Sequence, residues 1–167
     1  MARKTFFSFH YERDSWRAAQ VRNSGLFNSN LEGTGFIDKA QWETIESQGN
    51  PAIKSWIDKQ LIGTSVTVVL IGAETSSRYW VKYELEESFK RGNGIVGVYI
   101  NTIKDYTRDR NGTIDPKGDT LFGSIFKDKY GYPKYFYELY KVYDWETQNG
   151  RANLSTWIEE AAAKAGR

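Results

Sequence analysis

The residues best suited to chemistry lie in Ser76-Ser77-Arg78-Tyr79-Trp80-Val81-Lys82-Tyr83-Glu84-Leu85-Glu86-Glu87. They follow an apolar run, Val66-Thr67-Val68-Val69-Leu70-Ile71, and Gly72, which together read as a buried strand running into a loop. The pattern then turns helical and ends at Gly92 and Gly94. At about 100° per residue, Val81, Leu85 and Phe89 form the apolar stripe, with Ser77, Glu84 and Ser88 along one edge of it. Trp80 and Glu84 are four apart and share a face. Glu84 is therefore expected at the rim of the core, with an indole beside it. Lys82, Glu86 and Lys90 point outward as solvated charges. The plain alternatives are a surface ion pair for Glu84 and simple packing onto the sheet for Trp80. One carboxylate with aromatic rings and hydroxyls around a cleft suits a substrate that carries a flat base, a ribose and a labile bond.

Such a helix needs a scaffold, and the chain supplies one in order. Thr5 to Phe9 reads as a first strand, and His10 to Asp14 as a polar loop. Trp16, Ala19 and Val21 then mark a helix of about three turns. Asn23 to Gly35 reads as an irregular connection, Gly35 to Asp38 as a very short second strand, and Lys39 to Asn50 as a long loop. Asn50 as N-cap and Pro51 at the first helical position open a helix that carries Ile53, Trp56, Ile57 and Leu61. The third strand is Val66 to Ile71, and Ile95 to Ile100 is a fourth, interior one. Tyr140 to Trp145 reads as a fifth strand, and Leu154 to Ala165, capped by Asn153, as the last helix. The alternation predicts one α/β domain: a flavodoxin-like parallel sheet of about five strands with helices on both faces. Such sheets bind ligands beyond the carboxyl ends of their strands. That edge would gather His10 and Tyr11, then Asp38 to Glu43, then Gly72 to Trp80, with Glu84 above them. Glu87 lies a turn further away and is the weaker candidate.

The 167 residues suit a single domain, and a net charge of +2 gives no dedicated nucleic-acid surface. With no cysteine there is no disulfide and no thiolate nucleophile, and one histidine with no carboxylate motif argues against a catalytic zinc centre. No apolar run is long enough to span a bilayer, and no signal peptide precedes the first strand, so a cytoplasmic protein is expected. There is no dinucleotide-binding glycine fingerprint, no P-loop and no nucleophile elbow. Asp109 to Asp115 faintly suggests a calcium loop, but Thr120 stands where the bidentate Glu belongs.

Over about residues 4–101 the chain resembles a TIR domain of the bacterial TIR-like family. The likeness rests on Phe7-Ser8-Phe9-His10-Tyr11, on Phe36-Ile37-Asp38, on the apolar third strand, and on Ser77 with Trp80-Val81-x-x-Glu84. The excursion at about 102–139 and the ending Val142-Tyr143-Asp144-Trp145 are similar to the TIR proteins of Thoeris anti-phage systems. The last strand and C-terminal helix, about 140–167, complete one domain over 1–167. The resemblance implies an enzyme that splits NAD between nicotinamide and ribose and makes a cyclic ADP-ribose-type signal for a separate effector protein. It implies Glu84 as the catalytic residue. Ser8, Phe9, His10, Tyr11, Asp38, Glu43, Gly72, Ser76, Ser77 and Trp80 are implied to bind substrate. NAD would be the substrate, with no other cofactor, no metal, no nucleic acid and no membrane involved, and a homo-oligomer is compatible. Departures are His10, where several relatives carry Arg, and Ser76, where some carry an acid. The competing readings are a non-enzymatic interaction module docking through Lys39–Asn50 and a nucleotide sensor without turnover.

Overall fold

Five strands build one sheet: β1 (Arg3–Ser8), β2 (Leu31–Thr34), β3 (Val66–Ile71), β4 (Gly94–Tyr99) and β5 (Val142–Asp144). Their order is β2-β1-β3-β4-β5 and every pairing is parallel. This is the flavodoxin-like order expected from the alternation. The helices are α1 (Tyr11–Arg22), α2 (Lys39–Glu46), α3 (Asn50–Leu61), α4 (Tyr79–Lys90), α5 (Phe136–Leu139) and α6 (Gly150–Lys164). The computed structural model describes residues 3–24, 31–120, 122 and 125–167. Residues 25–30 of the expected irregular connection lie outside the described residues, as do 121, 123 and 124 of the excursion.

The chain steps from β1 to β2 in one direction and from β3 to β5 in the other. Right-handed crossovers therefore put α1 on one face and α3 and α4 on the opposite one. The switch in direction falls between β1 and β3, whose carboxyl ends are Ser8 and Ile71. Every residue of β3 is buried, as an apolar run without alternation requires of a central strand. Val66, Val68 and Leu70 join Leu154, Trp157, Ile158 and Ala162 of α6 in one cluster. Val69 and Ile71, pointing the other way, meet Val81 and Leu85 of α4 and Phe122, Phe126 and Phe136 of the excursion. Among the described residues no helix is long and apolar enough to cross a membrane.

Several boundaries differ from those expected. The polar stretch at Tyr11 is already the first turn of α1, because the His10 imidazole accepts the Arg13 amide as an N-cap. β2 is Leu31–Thr34 and not Gly35–Asp38: the chain turns at Gly35, with φ of 84°, and Phe36 stacks on Phe7 at 4.6 Å instead of pairing as a strand. The supposed loop Lys39–Asn50 is largely α2, opened by a capping box in which Asp38 and Gln41 satisfy each other's backbone amides. Gly49, not Asn50, caps α3. The fifth strand shrinks to Val142–Asp144. The last helix starts four residues before Leu154, with Asn149, at φ of 49°, as its N-cap and not Asn153.

The packing of α6 on the sheet is close enough to exclude a methyl group. A Cβ at Gly94 would lie 2.4 Å from the Ala161 carbonyl oxygen and 2.9 Å from the Ala162 nitrogen. Backbone cannot swing aside as a side chain can, so Gly94→Ala is expected to destabilise by about 1–3 kcal/mol. Thermal denaturation checks this; an unchanged Tm would mean that α6 lies further from the sheet.

Candidate active site

Glu84 is the centre of the carboxyl edge, and it is wholly buried instead of standing at the rim. Its two oxygens are both occupied: the Ser8 hydroxyl donates to Oε2 and the Tyr11 phenol donates to Oε1. Ser8 is the last residue of β1, and Tyr11 opens α1, so the strand-to-helix turn beside the switch point supplies both donors. Below them the Ser88 hydroxyl bonds the Glu84 carbonyl at 2.7 Å and meets Thr67 of β3, also at 2.7 Å. Burial raises the carboxyl pKa to about 8, the Ser8 and Tyr11 donors pulling against it. The same burial and the neighbouring carboxylate push the Tyr11 phenol well above its ordinary range.

Tyr11 is itself clamped by rings. Trp42 of α2 stacks on it at 4.3 Å, Trp56 of α3 stands edge-on at 5.8 Å, and Phe9 at 4.7 Å. Offset and edge-to-face pairs of this kind each contribute about 0.5–1.5 kcal/mol beyond the area they bury. Trp42 is 1% exposed, and its indole N–H has no acceptor among the described residues. Trp80 is half-buried against the core and meets Tyr79 and Tyr83 edge-on at 4.8 and 5.6 Å.

The remaining expected residues fall in three places. His10 is buried, and its Nδ1 is used as the cap, so the second nitrogen carries the proton of the neutral ring. Burial first and Arg78 second lower its pKa to about 4, which leaves no charge at neutral pH to offer a phosphate. Gly72 lies against α1, where a Cβ would come within 2.1 Å of Asp14 Oδ2, and its N–H donates to Thr75 at 2.8 Å. Ser76 and Ser77 belong to a single 3-10 turn, Thr75–Ser77, that precedes α4. Ser77 is exposed and bonds the Glu74 carbonyl, away from the edge of α4 on which it was expected. Asp38 is exposed and occupied as the cap of α2, and Glu43 is exposed beside Lys39 at 3.9 Å. The structure thus gathers Ser8, Tyr11 and Glu84 with Phe9 behind them, while Glu43 and Ser77 stay in solvent.

A cleft of about 650 Å³ opens beside this cluster. Phe9, Asp38 and one side of α1 line it, and residues 105–108 of the excursion form its outer wall. That wall is fastened by Arg17, which is fully buried. Its guanidinium bonds Asp115 at 2.6 Å, Asp14 at 3.1 Å, and the carbonyls of Ile103 and Thr113 at 2.7 and 2.9 Å. Arg108 joins Asp115 at 2.9 Å and Asp105 at 3.2 Å. Burial alone would raise Asp115; the guanidiniums of Arg108 and Arg17 bring its pKa down to about 2 instead. Neither this network nor the Trp42–Tyr11 stack was foreseen. Asp38-x-x-Gln41 before an apolar position was a legible sign of α2 and hence of Trp42.

Residues 6–105 match the family described as "Thoeris protein ThsB, TIR-like domain". A curated relative from Bacillus cereus (strain MSX-D12), named "Putative cyclic ADP-D-ribose synthase ThsB1", is 33% identical over 195 aligned positions. The alignment covers 95% of this chain and 100% of the relative.

Two outcomes follow from this geometry. Asp38→Ala removes the cap of α2 and is expected to cost about 0.5–2 kcal/mol, whereas Asp38→Asn keeps an acceptor and restores most of it; equal Tm values for both variants would show that the cap holds nothing. The Glu84 proton gives the second. Its pKa is about 8 folded against an ordinary 4.5, so between these values the folded state holds a proton that the unfolded state has released. Stability therefore falls as pH rises from about 4.5 to about 8 and levels off above. His10, lowered by folding, acts in the opposite sense below its ordinary pKa of 6.5, so the comparison is made against Glu84→Gln. The wild type should lose Tm relative to that variant across the window, and a pH-independent difference would show an ionised Glu84 throughout.

Proposed function

This chain belongs to the Thoeris ThsB TIR-like family, and on that premise we propose that it cleaves the bond between nicotinamide and ribose in NAD and releases a cyclic ADP-ribose-type signal. The observation that carries the reading is the buried Glu84 at the switch point of the sheet, with a hydroxyl on each of its oxygens. The relative named as a cyclic ADP-D-ribose synthase supports the product class.

Nicotinamide leaves as a neutral molecule from a cationic ring, so its departure needs no strong acid. The charge passes to the ribose, which becomes oxocarbenium-like, and an adjacent carboxylate stabilises it. Glu84 is the residue proposed for that role. A neutral Glu84 could not do it, but the cationic ring of the bound substrate favours the ionised form. Ser8 and Tyr11 would keep the carboxylate oriented, Phe9 and Trp80 would position rings, and neutral His10 would offer one N–H. Water capturing the ribose cation gives linear ADP-ribose. A nucleophilic group of the same ADP-ribose gives the cyclic product with loss of one proton, provided that the molecule is folded in the cleft and water is kept out. The signal would then act on a separate effector protein in anti-phage defence.

Incubation with NAD, with released nicotinamide and product mass as readouts, tests the reading. A product lighter than ADP-ribose by one water is expected, and Glu84→Gln should abolish both readouts. Linear ADP-ribose as the sole product would remove the cyclase, and undiminished turnover in Glu84→Gln would move the chemistry away from this carboxylate.

A further inference from the structure

Glu84 and its ring clamp can engage only the nicotinamide-ribose half of a dinucleotide; the other half needs a different surface. Adenine requires a flat apolar wall, and the pyrophosphate requires cations with spare hydrogen-bonding capacity. The cleft along α1 offers both. Trp16 lines it, and its indole N–H is fixed by the Lys104 carbonyl at 3.1 Å, with Tyr106 edge-on at 6.4 Å. Phe36 forms part of the facing wall, and Ala18 and Ala19 leave room between. Arg13 lines the same cleft with a guanidinium that is poorly satisfied. Its Nε is buried without a partner among the described residues, and its terminal nitrogens lie 3.4 and 3.3 Å from Glu74 and Asp115. Arg22, lying 5.8 Å over the Phe36 ring, forms no ion pair among the described residues. Arg108, by contrast, is neutralised by Asp105 and Asp115 and serves the wall. Phe9, which lines the cleft, packs at 4.7 Å on Tyr11, the residue that bonds Glu84, so one ring pair stands between the cleft and the carboxylate.

We propose that this cleft holds the adenosine diphosphate half of the substrate, with Trp16 as the platform for adenine and Arg13 as the contact to the pyrophosphate. The inference rests on the NAD reading and adds the excursion to the binding machinery. Residues 105–108 close the cleft, and Lys104 orients Trp16. A base held there would be separated from the reacting ribose by the Phe9–Tyr11 pair.

Calorimetric titration with ADP, which lacks the nicotinamide and cannot react, tests the site without turnover. The wild type should bind ADP, and Trp16→Ala should weaken binding about tenfold or more, the usual scale for loss of one base–aromatic stack. Trp16→Phe should stay within about threefold. Arg13→Gln should weaken ADP binding and flatten its salt dependence. With NAD, Trp16→Ala should raise KM by a similar factor, since the contact is remote from the bond that breaks. ADP binding that is absent, or that ignores both Trp16 and Arg13, overturns the inference even if NAD is cleaved. Trp16-dependent ADP binding in a protein that releases no nicotinamide upholds the site and defeats the enzymatic reading instead. Trp16→Phe and Arg13→Gln keep the decision open to measurement should Trp16→Ala fail to fold.

Discussion

A carboxyl group buried in the core is the constraint around which the rest of the molecule is arranged. Removed from water, Glu84 needs donors on both oxygens or a proton of its own. The first demand brings the end of β1 and the start of α1 to one point, because Ser8 and Tyr11 must both reach it. The Tyr11 hydroxyl can be aimed only if its ring is held, and Trp42 and Trp56 hold it. Trp42 in turn depends on α2, a short helix that leans on its capping box for definition. The chain of dependence therefore runs from a single carboxyl outward to an exposed aspartate, Asp38, that never touches it.

The second organising unit is electrostatic and lies on the other side of α1. Arg17 is buried with charge partners and backbone carbonyls on its nitrogens, which is the condition under which a buried cation is tolerable. Its partners come from the excursion and from α1 itself, so the excursion is held by bonds that only this geometry satisfies. Truncating either partner would leave a buried charge uncompensated, a larger loss than the pair's own net contribution. Gly72 fits this unit as well: the Asp14 carboxylate fills the space that a side chain would take. The bare backbone there serves the packing of α1 against the end of β3.

The fold was legible because its strongest signals are its longest: the unbroken apolar run of β3 and the stripe of α4 leave little room for another reading. β2 was misplaced by a few residues because Leu31-Glu32-Gly33-Thr34 carries almost no β-branched or alternating pattern, while Phe36 and Ile37 look strand-like and are loop residues packed on the core. Glu84 was identifiable by its spacing to Trp80, but its depth was not. Helical phase gives a direction, whereas burial depends on what the rest of the chain places above that direction. Here it is Tyr11 and Trp42, on elements read as loops. Asp38 and His10 show the complementary limit. Each stands where a ligand contact was expected, and in the structure each is engaged as a helix cap.

Under the proposed reaction, the way Glu84 is satisfied also bears on where affinity can arise. A ribose diol offers two hydroxyls, the same chemistry that Ser8 and Tyr11 already present to the carboxyl oxygens. Replacing one hydroxyl donor by another is nearly neutral, because each bond gained at Glu84 is matched by one given up. The displaced Tyr11 phenol would also have to find a new acceptor or reach water. Little net binding can therefore come from the reacting end, and the energy to open the ring clamp must be drawn from parts of the substrate that do not react. What the reacting end does supply is charge. A cationic nicotinamide ring beside Glu84 would shift its equilibrium toward the ionised acid, against the direction in which burial moves it. Under this reading the substrate's own positive charge opposes the effect of burial on Glu84 and favours the carboxylate that its cleavage requires.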